Sequence, residues 1–469
     1  MSHRPWLLGL PLAGLLAACT VGPDYERPVV PSAAAFPESA PSAGEISAEW
    51  WKGFAEPELD RLVALALVAN TDLRIAVARV EEASAQLDDT AGAGLPSVDA
   101  TAADSRYKVS DGAYVPVGGT AAGRNRRTLR GGLTTSFELD FWGKLRRAEE
   151  IARAQLLSAD HAAEQVRLGL VASVVRAYAT LRTTDVQVEA AQAVLAAREG
   201  ELALIRRREL AGVGQAAEVA AGEVARATAV TLLADARRSR GQAEHLLGFL
   251  IGQPALVLPV DPRPLALPPL PAAGLPSDLL ARRPDVRAAE QALIAANARI
   301  GYLKAARFPS FALTGAIGTE GKNFASIMES GTSTSALGLD LRFPLFDNGR
   351  GAARVDVAVA AQHQAVAVYE KTTLNAFREV RDALADVRET SAAWEAAERR
   401  RLAAAEAIRV AEVRDRTGQS PLADLLAARR GFAESQLAVA RVRLDRLGAQ
   451  VDLIKALGGA RPEVVPVAR

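Results

Sequence analysis

Cys19 is the only cysteine among the 469 residues of the chain, and its surroundings suit acylation of its thiol. The apolar run Trp6–Ala18 precedes it and is roughly 13 residues long, which fits the core of a signal peptide and is too short to span a bilayer as a helix. A single cysteine cannot form a disulfide within its own chain. We therefore expect that the signal peptide 1–18 is removed and that Cys19 carries a lipid such as palmitate.

The segment Leu16–Cys19 resembles a bacterial lipobox, the recognition sequence for lipoprotein processing. An ordinary signal peptide that happens to contain a cysteine is the alternative interpretation. In lipoproteins of this kind, an aspartate after the cysteine favours retention at the inner membrane. The next residue here is Thr20, so we expect the outer membrane as the destination.

The histidines do not form a catalytic or metal-binding set. They lie in the expected signal peptide or on separate helical stretches, at His3, His161, His245 and His363. The sequence contains no phosphate-binding glycine loop, nucleophile elbow or cysteine pair. A formal net charge of +1 provides no basic field that would attract nucleic acid. We therefore expect that the protein is not an enzyme and that it uses no metal, cofactor or nucleic acid.

Charged residues that would suit a water-filled pore lie on two stretches of alternating sequence, 133–141 and 337–345. Each stretch has one apolar and one polar face and about the nine residues that a tilted strand needs to cross a bilayer. A soluble, half-buried sheet alternates in the same way and is the alternative. Weaker patterns predict two further strands, one near 97–109 and one after Pro309. A loop is predicted to follow the first of them, to about residue 131. The pore-lining candidates are Glu138, Asp140, Asp340 and Arg342.

Most of the remaining sequence predicts long helices. Apolar residues make up 49% of the chain and aromatic residues only 5%, because alanine, leucine and valine dominate, and alanine is the strongest helix former. One apolar series recurs every seven residues, as in coiled coils, at Val174, Leu181, Val188, Leu195 and Leu202. The helical patterns cover about 57–92, 144–208, the stretch after a turn at 211–215 to about 250, 351–415, and the stretch after a turn at 417–421 to about 457.

The chain contains two related halves. Asp72-Leu73-Arg74 returns as Asp285-Val286-Arg287, and later landmarks recur in the same order. The two copies lie 213 residues apart. This period far exceeds the ~20–50 residues of solenoid repeats, so we expect two equivalent structural units. The predicted organisation is a signal peptide 1–18, a lipid-anchored extended arm 19–52, a first repeat 53–252, a Pro-rich linker 253–276, a second repeat 277–458 and a C-terminal tail 459–469.

Six sequence motifs stand in a fixed order along the mature chain. They are VGPDYERP at 21–28, ELDFWGKLRR at 138–147, LPSDLL at 275–280, RRPDVRAAE at 282–290, NARIG at 297–301 and FPS at 308–310. Together they resemble the TolC family of outer-membrane factors, in its lipoprotein branch of NodT/OprM type. The resemblance covers essentially the whole mature chain.

This resemblance implies an α+β membrane protein, a homotrimer whose twelve-stranded outer-membrane β-barrel continues as a long periplasmic α-helical barrel. Four strands per chain agree with it, because strands in lipid must close into a barrel and four are too few. The implied function is the exit duct of a tripartite efflux pump for small molecules, with a periplasmic adaptor (membrane fusion) protein and an inner-membrane RND-type transporter as partners. A type I protein-secretion channel and a pore-less coiled-coil lipoprotein scaffold are the alternatives.

Charges cluster where the long helices turn back, at the end that the resemblance places in the periplasm. Our hypothesis is that some of them pair across helices to close the duct, and that docking of the adaptor breaks these pairs. Ordinary solvation and capping of helix ends is the alternative, and the two glycines also suit tight turns. We prefer the second turn as the gate. The candidates are Arg208, Glu209, Gly212, Glu218, Arg414, Asp415, Arg416, Gly418 and Asp424.

Overall fold

The structure is dominated by helices. A computed structural model describes residues 20–30, 47–108, 125–263, 265–269, 282–417, 419 and 421–459. Of the predicted site residues, Cys19 and Gly418 lie outside the described residues, as do positions 264 and 270–276 of the linker and positions 460–469 of the tail. Within the described ranges, no helix is both long enough and apolar enough to cross a membrane. The helices are α1 Pro57–Ala69, α2 Thr71–Gly92, α3 Lys144–Leu210, α4 Ala216–Leu250, α5 Pro284–Ala305, α6 Arg350–Arg416 and α7 Leu422–Ala456.

The helix lengths repeat between the two halves of the chain. Helices α3 and α6 each have 67 residues, and α4 and α7 each have 35. None of the four contains a proline that would interrupt the backbone hydrogen bonds. At 1.5 Å per residue each longer helix measures about 100 Å. The predicted long helices are confirmed, and their matching lengths agree with the predicted duplication.

Each half also contributes one pair of strands to a single antiparallel sheet, in the order β1-β2-β3-β4. The register pairs Glu138 with Ala312 and Ala312 with Asp340, and it pairs Leu133 with Ile317. Directly paired residues share one face of a sheet, so the apolar and polar faces predicted from the alternation are continuous across the strands. The strands are β1 Ser97–Lys108, β2 Asn125–Leu139, β3 Ser310–Gly321 and β4 Ser333–Arg342.

The chain divides into two compact units. The first unit consists of Met1–Pro28, Val80–Ala159 and Ala289–Tyr369 and contains the sheet, and the second consists of Val29–Arg79, Asp160–Ala288 and Glu370–Arg469. The second unit holds the main apolar core, in which the heptad residues Val174 and Leu181 are fully buried. A short 3₁₀ helix, Trp50–Phe54, adds three buried aromatic side chains to this core. The sequence did not predict this element.

The predicted single helix over 57–92 is wrong, because Asn70 divides it into α1 and α2. Asn70 has an extended backbone, and its side-chain oxygen accepts hydrogen bonds from the N–H groups of Asp72 and Leu73 at 3.0 and 3.1 Å. Its Nδ2 donates to the carbonyl oxygen of Leu250 at 3.0 Å. Asn70 is therefore a buried N-cap of α2, which is a favoured role for asparagine.

Two strand boundaries also differ from the prediction. The expected loop to about residue 131 is wrong from residue 125 onward, because β2 begins at Asn125 and pairs with β1 along its first twelve residues. Strand β4 occupies 333–342 rather than 337–345, so Phe343 and Leu345 lie beyond it. In both cases cross-strand pairing, which local alternation does not report, decides the boundary.

Candidate functional site

Residues 20–27, here called the N-terminal clasp, contact the parts of the first compact unit that come from both repeats of the chain. The N–H of Val21 donates to the carbonyl oxygen of Trp142 at 3.1 Å, just after β2. The carbonyl oxygen of Pro23 accepts from Asn297 Nδ2 on α5 at 3.1 Å. The Trp142 indole in turn donates to the carbonyl oxygen of Pro309 at 2.7 Å, before β3. The chain just after the predicted acylation site is therefore held at the ends of the strands.

Charged groups reinforce the clasp. The Arg27 guanidinium binds both carboxylate oxygens of Glu290 at 2.6 and 2.8 Å, and the Tyr25 hydroxyl donates to Glu290 at 3.1 Å. Burial, together with the neighbouring Glu290 carboxylate, raises the pKa of Tyr25 well above its usual range, so Tyr25 remains a donor. Arg147 at the start of α3 pairs with Asp24 at 3.0 Å. These contacts join four of the sequence motifs, at 21–28, 138–147, 282–290 and 297–301.

The pore-lining candidates occupy two different settings. Glu138 and Asp340 lie on the polar face of the sheet, at positions aligned through Ala312, and Arg342 is the last residue of β4. Asp140 follows β2, and its carboxylate accepts the N–H of Arg146 in the first turn of α3 at 3.0 Å. Asp140 is thus tied to a helix N-terminus, where a negative charge is favourable.

The first tip turn, between α3 and α4, is built by backbone contacts and a cap. The carbonyl oxygens of Arg208 and Glu209 each accept a turn N–H at 2.9 Å. Gly212 has a φ of 78°, which explains the glycine. The Glu218 carboxylate accepts the N–H of Gln215 at 3.3 Å and completes a capping box, so its contact is local.

The second tip turn, between α6 and α7, is also held locally within the described residues. The carbonyl oxygen of Arg414 accepts the N–H of Gln419 at 2.8 Å, and Asp424 lies in the first turn of α7. Arg416 approaches Glu412 of its own helix at 3.8 Å. Of the candidates that the structure describes in this turn, Arg414, Asp415, Arg416 and Asp424, none forms an ion pair with a neighbouring helix.

The ion pairs that do join neighbouring helices lie farther from the turns. Arg430 of α7 binds Glu201 of α3 at 2.6 Å, and both side chains are about three-quarters buried or more, with 26% and 19% exposure. Arg429 lies 3.5 Å from Glu412 and joins α7 to α6. Two further pairs, Arg206–Glu223 and Arg226–Glu199, join α3 to α4. None of these residues is among the tip candidates predicted from the sequence, because the register between helices has no local signal.

Arginines also fasten the segment after α4 to the helices of the second unit. Arg182 of α3 binds the Asp261 carboxylate at 2.5 Å and the carbonyl oxygen of Arg263 at 2.9 Å. Arg240 of α4 binds Asp185 at 2.7 Å and the carbonyl oxygen of Leu258 at 2.8 Å. The guanidinium groups of Arg263 and Arg182 hold the pKa of Asp261 well below its usual range. Residues 258–263, here called the brace, are therefore held in place by these contacts and do not form a free linker.

No group of three or more His, Cys, Asp or Glu side chains in the described ranges is arranged to hold a metal ion.

The sequence model of the outer membrane efflux protein family matches residues 62–253 and 275–459. The chain belongs to the outer membrane efflux protein family. The members with which it compares are channel proteins, and the chain is accordingly an outer-membrane channel through which substances leave the cell.

Relatives match over nearly the whole length of the outer membrane efflux protein described here. The toluene efflux pump outer membrane protein TtgC of Pseudomonas putida is 33% identical over 463 residues, which are 95% of this chain and 94% of TtgC. Outer membrane protein OprJ of Pseudomonas aeruginosa is 34% identical over 466 residues, 96% of this chain and 95% of OprJ. The open-state structure of the MtrE outer membrane channel of Neisseria gonorrhoeae superposes with a TM-score of 0.82, at 33% identity, over 94% of this chain and 98% of MtrE.

Proposed function

We propose that three copies of the chain form one exit duct of a tripartite efflux pump. The observation that carries the proposal is that β1 and β4 each pair on one side only in the described sheet. Unpaired sheet edges are not tolerated in hydrocarbon, and four strands are too few to close. Three copies supply twelve strands, enough to enclose a pore. The polar face, with Glu138, Asp340 and Arg342, lines the pore, while the face that bears Leu337 and Leu339 contacts lipid.

The helices continue the duct into the periplasm. Large apolar side chains are exposed along α4 and α6 of the single chain, which supports packing against neighbouring copies. In this arrangement each copy supplies four of the twelve helices that form the wall of a tunnel, namely α3, α4, α6 and α7. The exposed residues are Val224, Val230, Leu246 and Phe249 on α4, and Val357, Leu374, Leu402 and Val413 on α6.

The tip turns dock a periplasmic adaptor, which links the duct to an inner-membrane RND-type transporter. Leu210 and Val213 at the first turn are 87% and 69% exposed, and such apolar side chains support a contact with a partner. Small molecules are the proposed cargo. Cys19 is proposed to carry the lipid anchor, and the N-terminal clasp, which begins at the next residue, supports an anchor close to the strand ends.

Single-channel recording on the purified full-length protein tests the proposal. We expect a heat-sensitive oligomer with three times the mass of the chain and stepwise conductance in planar bilayers. A monomer without conductance would contradict the proposal. Crosslinking in cells followed by co-purification should recover an adaptor and a transporter.

A further inference from the structure

The apolar face of the sheet ends in basic residues at one end only. The described α-helices connect to the strands at one end of the sheet. The chain passes from β1 to β2 and from β3 to β4 at the other end, which we call the hairpin end. The apolar face is continuous across the four strands because paired residues share a face. Its members include Val98, Leu129, Leu133, Phe137, Leu313, Ile317, Leu337, Leu339 and Leu341.

The length of this apolar face matches a membrane. From Leu139 to Leu129, β2 advances ten residues, or roughly 34 Å at the usual strand rise. With the tilt of barrel strands this corresponds to a height of roughly 25 Å, the usual apolar band of an outer-membrane barrel. Residues beyond Leu129 on the same face therefore lie at the level of lipid headgroups if the sheet spans the membrane.

The residues at that level are basic. Arg127 follows on β2, and Arg106 lies directly opposite it on β1, with Lys108 two residues further along β1 on the same face. The three side chains are exposed, with Arg106 71% and Arg127 43% accessible. Asp104 is the carboxylate between them, 2.9 Å from Arg127 and 3.7 Å from Arg106. Three cations against one carboxylate leave two positive charges on this patch.

The opposite end of the same face is different. Phe141 and Phe311 pack edge to face there, with ring centroids 5.2 Å apart, and Leu345 and Phe346 are 85% and 84% exposed. Aromatic side chains at a barrel rim suit the interface with ordinary phospholipid. The two ends of this face on β1 and β2 are therefore chemically distinct, apolar at the helix end and cationic at the hairpin end.

We propose that Arg106, Lys108 and Arg127 form a binding site for the phosphate groups of lipids in the leaflet at the hairpin end. Guanidinium groups fit phosphate oxygens in bidentate geometry, and each basic residue near an anionic surface strengthens attachment roughly five-fold. The exposed apolar face next to the patch holds the acyl chains of the same lipid. The inference rests on the proposed function, because it requires that the sheet spans the membrane.

Titration of the full-length oligomer with fluorescent lipid tests this site. Wild-type protein in a neutral detergent is titrated with labelled diphosphoryl lipid A and, separately, with labelled zwitterionic phosphatidylcholine, and anisotropy is measured. We expect preference for the phosphorylated lipid, and loss of two cations in Arg106→Gln/Arg127→Gln should weaken its binding roughly 30-fold. The matched control is Arg130→Gln, which removes a cation from the polar face of β2, where Arg130 pairs with Glu320 at 2.9 Å. This control should bind lipid A as the wild type does.

Conductance of the same preparations separates the two proposals. A wild-type protein that conducts but binds both lipids equally would overturn the phosphate site and leave the duct in place. Equal competition by inorganic phosphate at the concentration of lipid would also contradict it, because the acyl chains would then contribute nothing. If the wild-type protein neither forms the oligomer nor conducts, the duct itself is wrong. The comparison of two lipids on the wild type remains decisive if the double variant does not fold.

Discussion

Close approach of two backbones explains why glycine occupies both Gly22 and Gly301. Gly22 has a φ of 117°, and a Cβ placed on it would lie 2.4 Å from the Cα of Gly301. A Cβ on Gly301 would lie 2.8 Å from the carbonyl oxygen of Val21 and 2.9 Å from Arg147 Nε. The N-terminal clasp can therefore reach α5 only because both side chains are absent.

The first prediction concerns Gly301→Ala. We expect it to destabilise the protein by about 1–3 kcal/mol, because the added methyl group overpacks the contact with Val21. The melting temperature and the susceptibility of residues 20–27 to limited proteolysis report the change. Gly241→Ala is the matched control, since Gly241 also lies within a helix but has no atom within 4 Å of the added Cβ. That control should stabilise by about 0.5–1 kcal/mol, and equal effects of both variants would contradict the role of the clasp.

The second prediction concerns Asp261 and pH. Its pKa in the folded protein lies below the ordinary value of 3.8, chiefly because of Arg263 and also of Arg182. A lowered carboxyl pKa contributes stability above the unfolded pKa, and this contribution is lost as the pH falls through the folded pKa. We expect Asp261→Asn to have a lower melting temperature at pH 6 and a shallower loss of melting temperature between pH 4 and pH 2.

The control for this experiment is Asp235→Asn. Asp235 pairs with Arg238 on the surface of α4, and both side chains are more than half exposed. Exposed pairs of this kind contribute little to stability. Identical pH profiles for Asp261→Asn and Asp235→Asn would show that the brace does not depend on the Asp261 carboxylate.

At the scale of elements, periodicity predicted what is local and missed what depends on pairing. The four long helices and the alternating part of β2 have strong repeating patterns, and they were predicted within a few residues. The segment 125–131 contains arginines and glycines without alternation, and it becomes a strand because β1 pairs with all of it and β3 pairs with it from Leu129 onward. Asn70 carried a signal that was available, since Asn followed by Thr-Asp is a common helix start. The Arg430–Glu201 pair had no signal, because it depends on the register between two helices.

The third prediction tests the pairing of β2 with β3. A Cβ on Gly132 would lie 2.3 Å from the carbonyl oxygen of Ile317, whereas a Cβ on Gly131 has no atom within 4 Å. We expect Gly132→Ala to disturb the sheet and to reduce the yield of heat-stable oligomer. Gly131→Ala, one residue away, should assemble normally. Gel migration before and after heating measures the outcome, and normal assembly of both variants would mean that strand spacing adapts to the added methyl group.

At the scale of the whole molecule, the duplication explains why one chain is incomplete. Each half supplies one strand hairpin and one hairpin of long helices, so two halves give a four-stranded sheet with two free edges. The same duplication leaves two tip turns that are alike in length and different in sequence. A gate formed by several copies therefore contains two kinds of turn, and the ion pairs near each can be tested separately.

The last prediction concerns what keeps the tip closed. Arg430–Glu201 is the partly buried ion pair that joins α7 to α3 on the side of the turns, and loss of one partner of such a pair costs more than loss of an exposed one. We expect Arg430→Ala to raise the conductance of the closed channel several-fold, and the exchange Arg430→Glu/Glu201→Arg to restore it in part. Arg176→Ala is the matched control, because Arg176 joins the same two helices through Asp452 but is 47% exposed. A rise in Arg414→Ala/Arg416→Ala without a rise in Arg430→Ala would instead place the gate at the second turn.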